Sequence, residues 1–376
     1  MNDKKAEILK QLEQGEITAD QALAMLNQQP NQASQAQSDA PPPRQENAQQ
    51  ENARREEHYH RSHHSEPEPS WVESMFSWVG DAIQDVAEEI HDWDISANIS
   101  DFMNGTYSHN KMREVFTSNP VLQGLAAVTI VGKNAKVEIQ GYDGDCVRVE
   151  CVYNSRRPNT EVYLHEENGR IELMYDEKSM RSMGVLCHVP FATIGELRVA
   201  TKNDTIKIFD VNCTTLMAAN RNAVIKACTV TATSIAMETT NDNIKVENIH
   251  AHNASLKTTN ARIHVEHVDI SHLKMKTTNA GLKFKGNFFA TDNWTGERII
   301  EAETTNSGVS IFVPTDAALK LDARTRGGNV SCQRDMYFTE HAKNHLLGEC
   351  SDYGFAGKKL NLHLTTTNAS VKVKEM

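Results

Sequence analysis

Residues 235–284 read IAMETTNDNIKVENIHAHNASLKTTNARIHVEHVDISHLKMKTTNAGLKF. The tripeptide TTN recurs, and its asparagines Asn241, Asn260 and Asn279 stand 19 residues apart. The spacing extends backward to Asn222 and Asn203. Forward, Asn306 follows after 27 residues, one period plus an insertion of eight around Asn293–Gly296. Gly327 then takes the asparagine place, and Asn368 closes the series after another long insertion. Asn134 and Asn168 begin two earlier units of wider spacing.

The register around each asparagine repeats with the period. Three residues after it come Ile206, Ile225, Ile244, Ile263, Leu282, Val309 and Val371; six before it come Leu197, Leu216, Ile235, Ala254, Leu273, Ile300 and Leu362. The same reading places Ile171 three after Asn168. Period-2 alternation on both sides of a turn predicts two short strands per unit. Two strands cannot bury an apolar face alone, but stacked units can. The expected fold is therefore mainly β: a parallel, β-helix-like solenoid with 19-residue coils over 125–376. Thr201, Thr239, Thr258, Thr277, Thr304, Thr325 and Thr366, each two before the turn position, would stack as one row. Asn203, Asn222, Asn241, Asn260, Asn279, Asn306 and Asn368 would stack as a second, structural ladder of buried amides, each bonded to the copies above and below.

The outward positions could carry function. Four residues after each asparagine come Lys207, Lys226, Lys245, His264 and Lys283, which at about 4.8 Å per rung would form an anion-binding rail. It could hold phosphates or an anionic envelope polymer. Glu247 and Glu266 lie beside it and would partly neutralise it. Outward carboxylates such as Glu238, Glu247, Glu266 and Glu303 are scattered, not clustered as in a polysaccharide-cleaving β-helix. No Gly-rich phosphate loop, GxSxG or HExxH motif occurs, so no catalytic residue, cofactor-binding residue or metal ligand is assigned and no cofactor is expected.

Before the repeat the chain changes character. Residues 1–29 predict a helical hairpin, with Ile8, Leu9 and Leu12 on one helix, a stop at Gly15, and a capping box at Thr18–Gln21. Too small to be stable alone, it implies self-association or a protein partner. Residues 30–70, rich in Gln, Asn, Pro, Ser and Glu, read as a disordered linker. Its His58, His60, His63 and His64 have no rigid scaffold and read as solvated. Residues 71–95 predict an amphipathic helix whose stripe runs Val72, Phe76, Val79, Ile83, Val86, Ile90 and Trp93, able to cap the first coil. Residues 96–124 read as a connecting segment.

The chain has 39 Lys and Arg against 50 Asp and Glu, a net charge of -11, which argues against non-specific nucleic-acid binding. Seven cysteines without CxxC pairs suit a reducing compartment. No stretch approaches the roughly 20 apolar residues of a membrane span, and no apolar signal region is visible. The expected location is cytoplasmic, with membrane association or non-classical release as alternatives.

The hairpin ILKQLEQGEITADQALAMLNQ (8–28), the LxxTTNxxIxV-like units at 235–246, 273–284 and 362–373, and the strand GVLCHVP (184–190) resemble LiaX/YvlB-like bacterial proteins. These join a short helical module to a β-strand-repeat domain of unknown function regarded as a candidate adhesin. The resemblance implies a link to envelope-stress responses and carries over no catalytic residue. Two readings result. One is a non-enzymatic scaffold, sensor or adhesin-like binding protein with an envelope-associated ligand. The alternative is a carbohydrate-active β-helix enzyme acting on an envelope polysaccharide.

Overall fold

The computed structural model describes residues 111–121, 123–158, 160–192, 194–286 and 295–376. The readings for 1–29, 30–70 and 71–95, and for 96–110 of the connecting segment, lie outside the described residues. The fold is mainly β. Its centre is a run of long strands, Ile206–Ala219, Ile225–Thr239, Ile244–Thr258 and Ile263–Lys276, each paired in parallel with the next at a constant offset of 19.

Each long strand bends twice. Between Ile225–Thr239 and its neighbour the register skips Thr229 and Thr233, leaving three short paired segments in place of two. The first bend is a residue with positive φ: Asp210, Thr229, Asn248 and His267 at 56°, 55°, 54° and 52°. Asp and Asn tolerate this left-handed conformation; a β-branched threonine does so only where its surroundings enforce it. Stacking four identical corners supplies that enforcement. In the coil before Asp210 the corner residue is Gly141, because a Cβ there would run into the Asp210 carbonyl.

The bends explain which side chains face inward. Along the coil after Asn222, Ile225, Ala227, Val230, Ala232, Ile235 and Met237 all lie within 6% of full burial. Alternation of two holds inside each segment and breaks at each corner. Stacked coils thus enclose one continuous core of Ile, Val, Leu, Ala and Met side chains.

Both ends depart from chain order. Ile171 does not follow a ladder asparagine: it stacks on Val128, six before Asn134. Asn168, at φ 50°, forms the turn between the antiparallel strands Val162–Glu167 and Arg170–Tyr175. Met180–Pro190 then stacks on Ala135–Tyr142, which puts Ser182 opposite Asn134. The spatial order is therefore the Ser182 coil, the Asn134 coil, the Asn203 coil. At the other end, Lys358–Thr366 inserts between Gly296–Thr304 and Ala318–Thr325, pairing in parallel with both. The order there is Asn306, Asn368, Gly327.

Antiparallel strands cover the terminal edges. Lys111–Pro120, within the segment read as a connection, pairs with Cys146–Ser155, which pairs with Met180–Pro190. Tyr337–Ala342 and His345–Glu349 form a hairpin laid on Ala318–Thr325. Each satisfies main-chain groups that an open stack would leave as an aggregation-prone edge.

Candidate functional site

At the turns the two predicted rows differ in setting. The threonines are buried, from Thr201 at 1% to Thr325 at 5% exposure. Most reach to the coil before: Thr258 Oγ1 donates to the Asp242 carbonyl at 3.2 Å, Thr277 to Ala261 at 3.1 Å and Thr304 to Ala280 at 3.0 Å. Asn220 takes the place of threonine in its coil and donates through Nδ2 to the Asp204 carbonyl. The asparagines form a continuous ladder from Asn134 through Asn203, Asn222, Asn241, Asn260, Asn279 and Asn306 to Asn368, every Nδ2–Oδ1 distance being 2.7 Å. From Asn203 onward these side chains are exposed, not buried as expected. Their backbone amides also donate to the neighbouring coil, as Asn260 does to Thr240 at 2.8 Å.

Lys207, Lys226, Lys245, His264 and Lys283 stand in one register column. Lys207 pairs with Glu138 at 3.5 Å, and His264 with Glu266 at 2.7 Å. Lys285 reaches the same Glu266 at 2.6 Å, and these two hydrogen bonds, that of Lys285 foremost, hold the Glu266 carboxyl down at about 2. Lys226 sits 5.7 Å above the Phe209 ring.

A groove of about 480 Å³ opens on a different side of the coils, across the short middle segments. Its first column is Asn212, Thr231, His250 and Asp269, four successive register partners. Beside it run the second-corner residues Thr214, Thr233, His252 and Ser271, and Arg298 closes one end. The small inward residues Cys213, Ala232 and Ala251 make the floor.

One ionic chain fixes this groove. Asp269, 6% exposed between Val268 and Ile270, takes the guanidinium of Arg298 on one oxygen. Its other oxygen lies 3.0 Å from His250 Nδ1. Arg298 Nη1 stands 3.5 Å from the Ser271 hydroxyl. A buried carboxylate needs such partners, and they hold the imidazole in one orientation with Nε2 directed away from the acid. The His252 and His272 rings pack edge to face at 5.6 Å.

The lining limits the chemistry. Among the described residues Asp269 is the one carboxylate of the lining, and these residues do not assemble the carboxylate pair of a glycosidase there. Burial pushes the Cys213 thiol up to about 12, which keeps it protonated and poorly nucleophilic. Hydroxyls, an amide and imidazoles remain, around an Arg–Asp pair whose charges cancel. Reading the sequence for turn asparagines and outward lysines missed this site. No local signal marked it: Asp269 sits in an outward place between inward Val268 and Ile270, as alternation provides, and its partner Arg298 lies beyond an insertion.

A stack of bent coils with a polar groove on its outer side defines a β-repeat protein. Residues 126–354 match the family described as Toastrack DUF4097, and the chain belongs to this family. No curated protein matches the chain. Among solved structures, a candidate adhesin from Parabacteroides merdae is 8% identical, with 70% of this chain and 96% of that one covered and a TM-score of 0.37. One from Parabacteroides distasonis is 9% identical, covering 70% and 97%, with a TM-score of 0.38. A candidate lipid-binding protein from the latter organism is 10% identical, covering 70% and 94%, with a TM-score of 0.28.

Proposed function

We propose that this chain is a non-enzymatic, adhesin-like binding protein whose solenoid recognises a polyhydroxylated ligand, a segment of glycan, in the groove. The groove lining carries the reading: Asn212, Thr231, Thr233, His250 and His252 present donors and acceptors around a neutralised Arg298–Asp269 pair. An uncharged array of this kind, held rigid by stacked coils, matches hydroxyl groups better than ions. The ligand would lie across the coils and meet one short side chain per rung.

The biological setting belongs to the same proposal. The hairpin at 8–28 and the TTN units resemble LiaX/YvlB-like proteins, which supports a role in a bacterial envelope-stress response and an envelope-associated ligand. Residues 1–29 would supply self-association or docking.

Calorimetry of the full chain with soluble envelope-polysaccharide fragments tests the groove. Thr231→Val/Thr233→Val and His252→Ala are expected to weaken binding at least ~10-fold with the melting temperature preserved, since each removes polar groups aimed at the ligand. Equal binding by wild type and variants would sink the reading. Release of new reducing ends by the wild type would favour the carbohydrate-active enzyme.

A further inference from the structure

The face bearing Lys207, Lys226, Lys245, His264 and Lys283 is larger than one column, and the coil exchange at the C-terminal end enlarges it. Val371–Glu375 stacks on Val309–Val313, which stacks on Leu282–Lys285. Lys372 therefore continues the column of Lys283, with Ser310 between them. A second column, two residues further along each coil, runs Phe209, Cys228, Glu247, Glu266, Lys285, Phe312 and Lys374. From the Asn134 coil to the Asn368 coil the two columns hold seven lysines, 207, 226, 245, 283, 285, 372 and 374, against Glu138, Glu247 and Glu266. This excess stands on a chain whose net charge is -11.

Ion pairing consumes little of that charge. Lys207 is taken by Glu138 and Lys285 by Glu266. Lys226, Lys245, Lys283, Lys372 and Lys374 form no ion pair among the described residues. Two aromatic rings are placed to keep ammonium groups on the face: Phe209 lies 5.7 Å from Lys226 Nζ, and Phe312 lies 5.6 Å from Lys374 Nζ. A ring beneath an ammonium attracts it electrostatically without cancelling its charge.

The shape selects the partner. Rungs about 4.8 Å apart carry the lysines over roughly 29 Å from Lys207 to Lys372, while the two columns are only about 7 Å apart. That is a long, narrow ridge. A single phosphate would need donors converging on one point, whereas these point charges are strung in a line. A bilayer would have to approach beyond the ridge, where the acidic remainder of the chain repels an anionic leaflet. The two rings on the ridge lie under lysines and offer no successive platforms for nucleobases.

We propose that this ridge binds a linear, base-free phosphate polymer lying along the stacking axis. The site is separate from the groove and does not depend on what the groove holds. Each lysine in contact displaces counterions from the polymer, so binding weakens steeply with salt.

The test uses the full chain and inorganic polyphosphate, followed by calorimetry over a range of salt. Lys226→Gln/Lys245→Gln/Lys283→Gln is expected to weaken binding at least ~10-fold near 0.1 M salt and to reduce the salt slope by about one per lysine in contact. Lys372→Gln/Lys374→Gln is expected to weaken it too, although those residues join the ridge only through the exchanged coil. The matching arginine variants should bind as wild type does. Neutralising Lys257, Lys274 and Lys276, which lie on another side of the coils, should change nothing. Thermal melts of each variant separate lost binding from lost folding. The proposal is overturned if polyphosphate does not bind, or if ridge and control variants lose affinity equally. Tighter, ridge-dependent binding of single-stranded DNA or of anionic phospholipid vesicles would also overturn it, by reassigning the ridge.

Discussion

Two rows of side chains meet at most of the repeat turns, two residues apart, and they do different work. The threonine row is buried and ties main chain to side chain between coils: Thr258 is 2% exposed and donates to Asp242. The asparagine row repeats with the same period, yet from Asn203 onward it stands in solvent and bonds mainly to itself. Periodicity alone does not separate them. Burial does, because a buried acceptor that loses its donor has no water to turn to, and an exposed amide has.

The largest effect should come from the buried row. Thr258→Val keeps the shape and removes the hydroxyl, leaving the Asp242 carbonyl without that donor. We expect a loss of about 1–3 kcal/mol in denaturant unfolding. A value within error of zero would show that the row is only filler.

Next is Asn260→Ala. Its neighbours Asn241 and Asn279 each lose one bond but can be hydrated, and the backbone bond from Asn260 to Thr240 remains. We expect about 0.5 kcal/mol or less, as for other surface substitutions. A loss matching that of Thr258→Val would erase the distinction between the rows.

Asn220 offers a sharper probe, since it occupies a threonine place and still donates to a turn carbonyl. Asn220→Thr should therefore leave the melting temperature nearly unchanged. A large drop would mean that the carbonyl-directed donor is not the property this position requires.

The smallest effect is seen against pH. Glu266 is partly exposed, like the asparagines, but Lys285 and His264 hold its carboxyl at about 2 against an ordinary 4.5. A folded-state value below the unfolded one stabilises the fold above about pH 4.5, and that contribution is lost as pH falls toward 2. The melting-temperature difference between wild type and Glu266→Gln should shrink over that window. A difference independent of pH would show that the ion pairs contribute nothing to the fold.

Particular residues show how far the sequence can be read. Ile206, Ile225, Ile244 and Ile263 follow their asparagines by three and are all fully buried, because alternation within a segment fixes which side chain turns inward. Ile171 follows Asn168 by the same three residues and yet stacks on Val128. The local pattern is identical, and only the partner strand distinguishes the two positions. His250 and Asp269 read as unremarkable outward residues 19 apart, until register places them on adjacent rungs with Arg298 arriving from beyond an insertion.

By itself the sequence determined the coil length, the inward residues next to each turn, the turn rows and the lysine column, since each follows from a short-range period repeated down the chain. Only the tertiary structure decided the order of coils at both ends, the double bend in each coil, the groove between the bends, and the extension of the lysine ridge by Lys372 and Lys374. The physical reason is that strand faces are set by neighbours in the chain, whereas stacking order is set by which edges must be covered. A parallel coil accepts any partner with matching inward residues, and the terminal coils take the arrangement in which antiparallel strands pair along their outer edges.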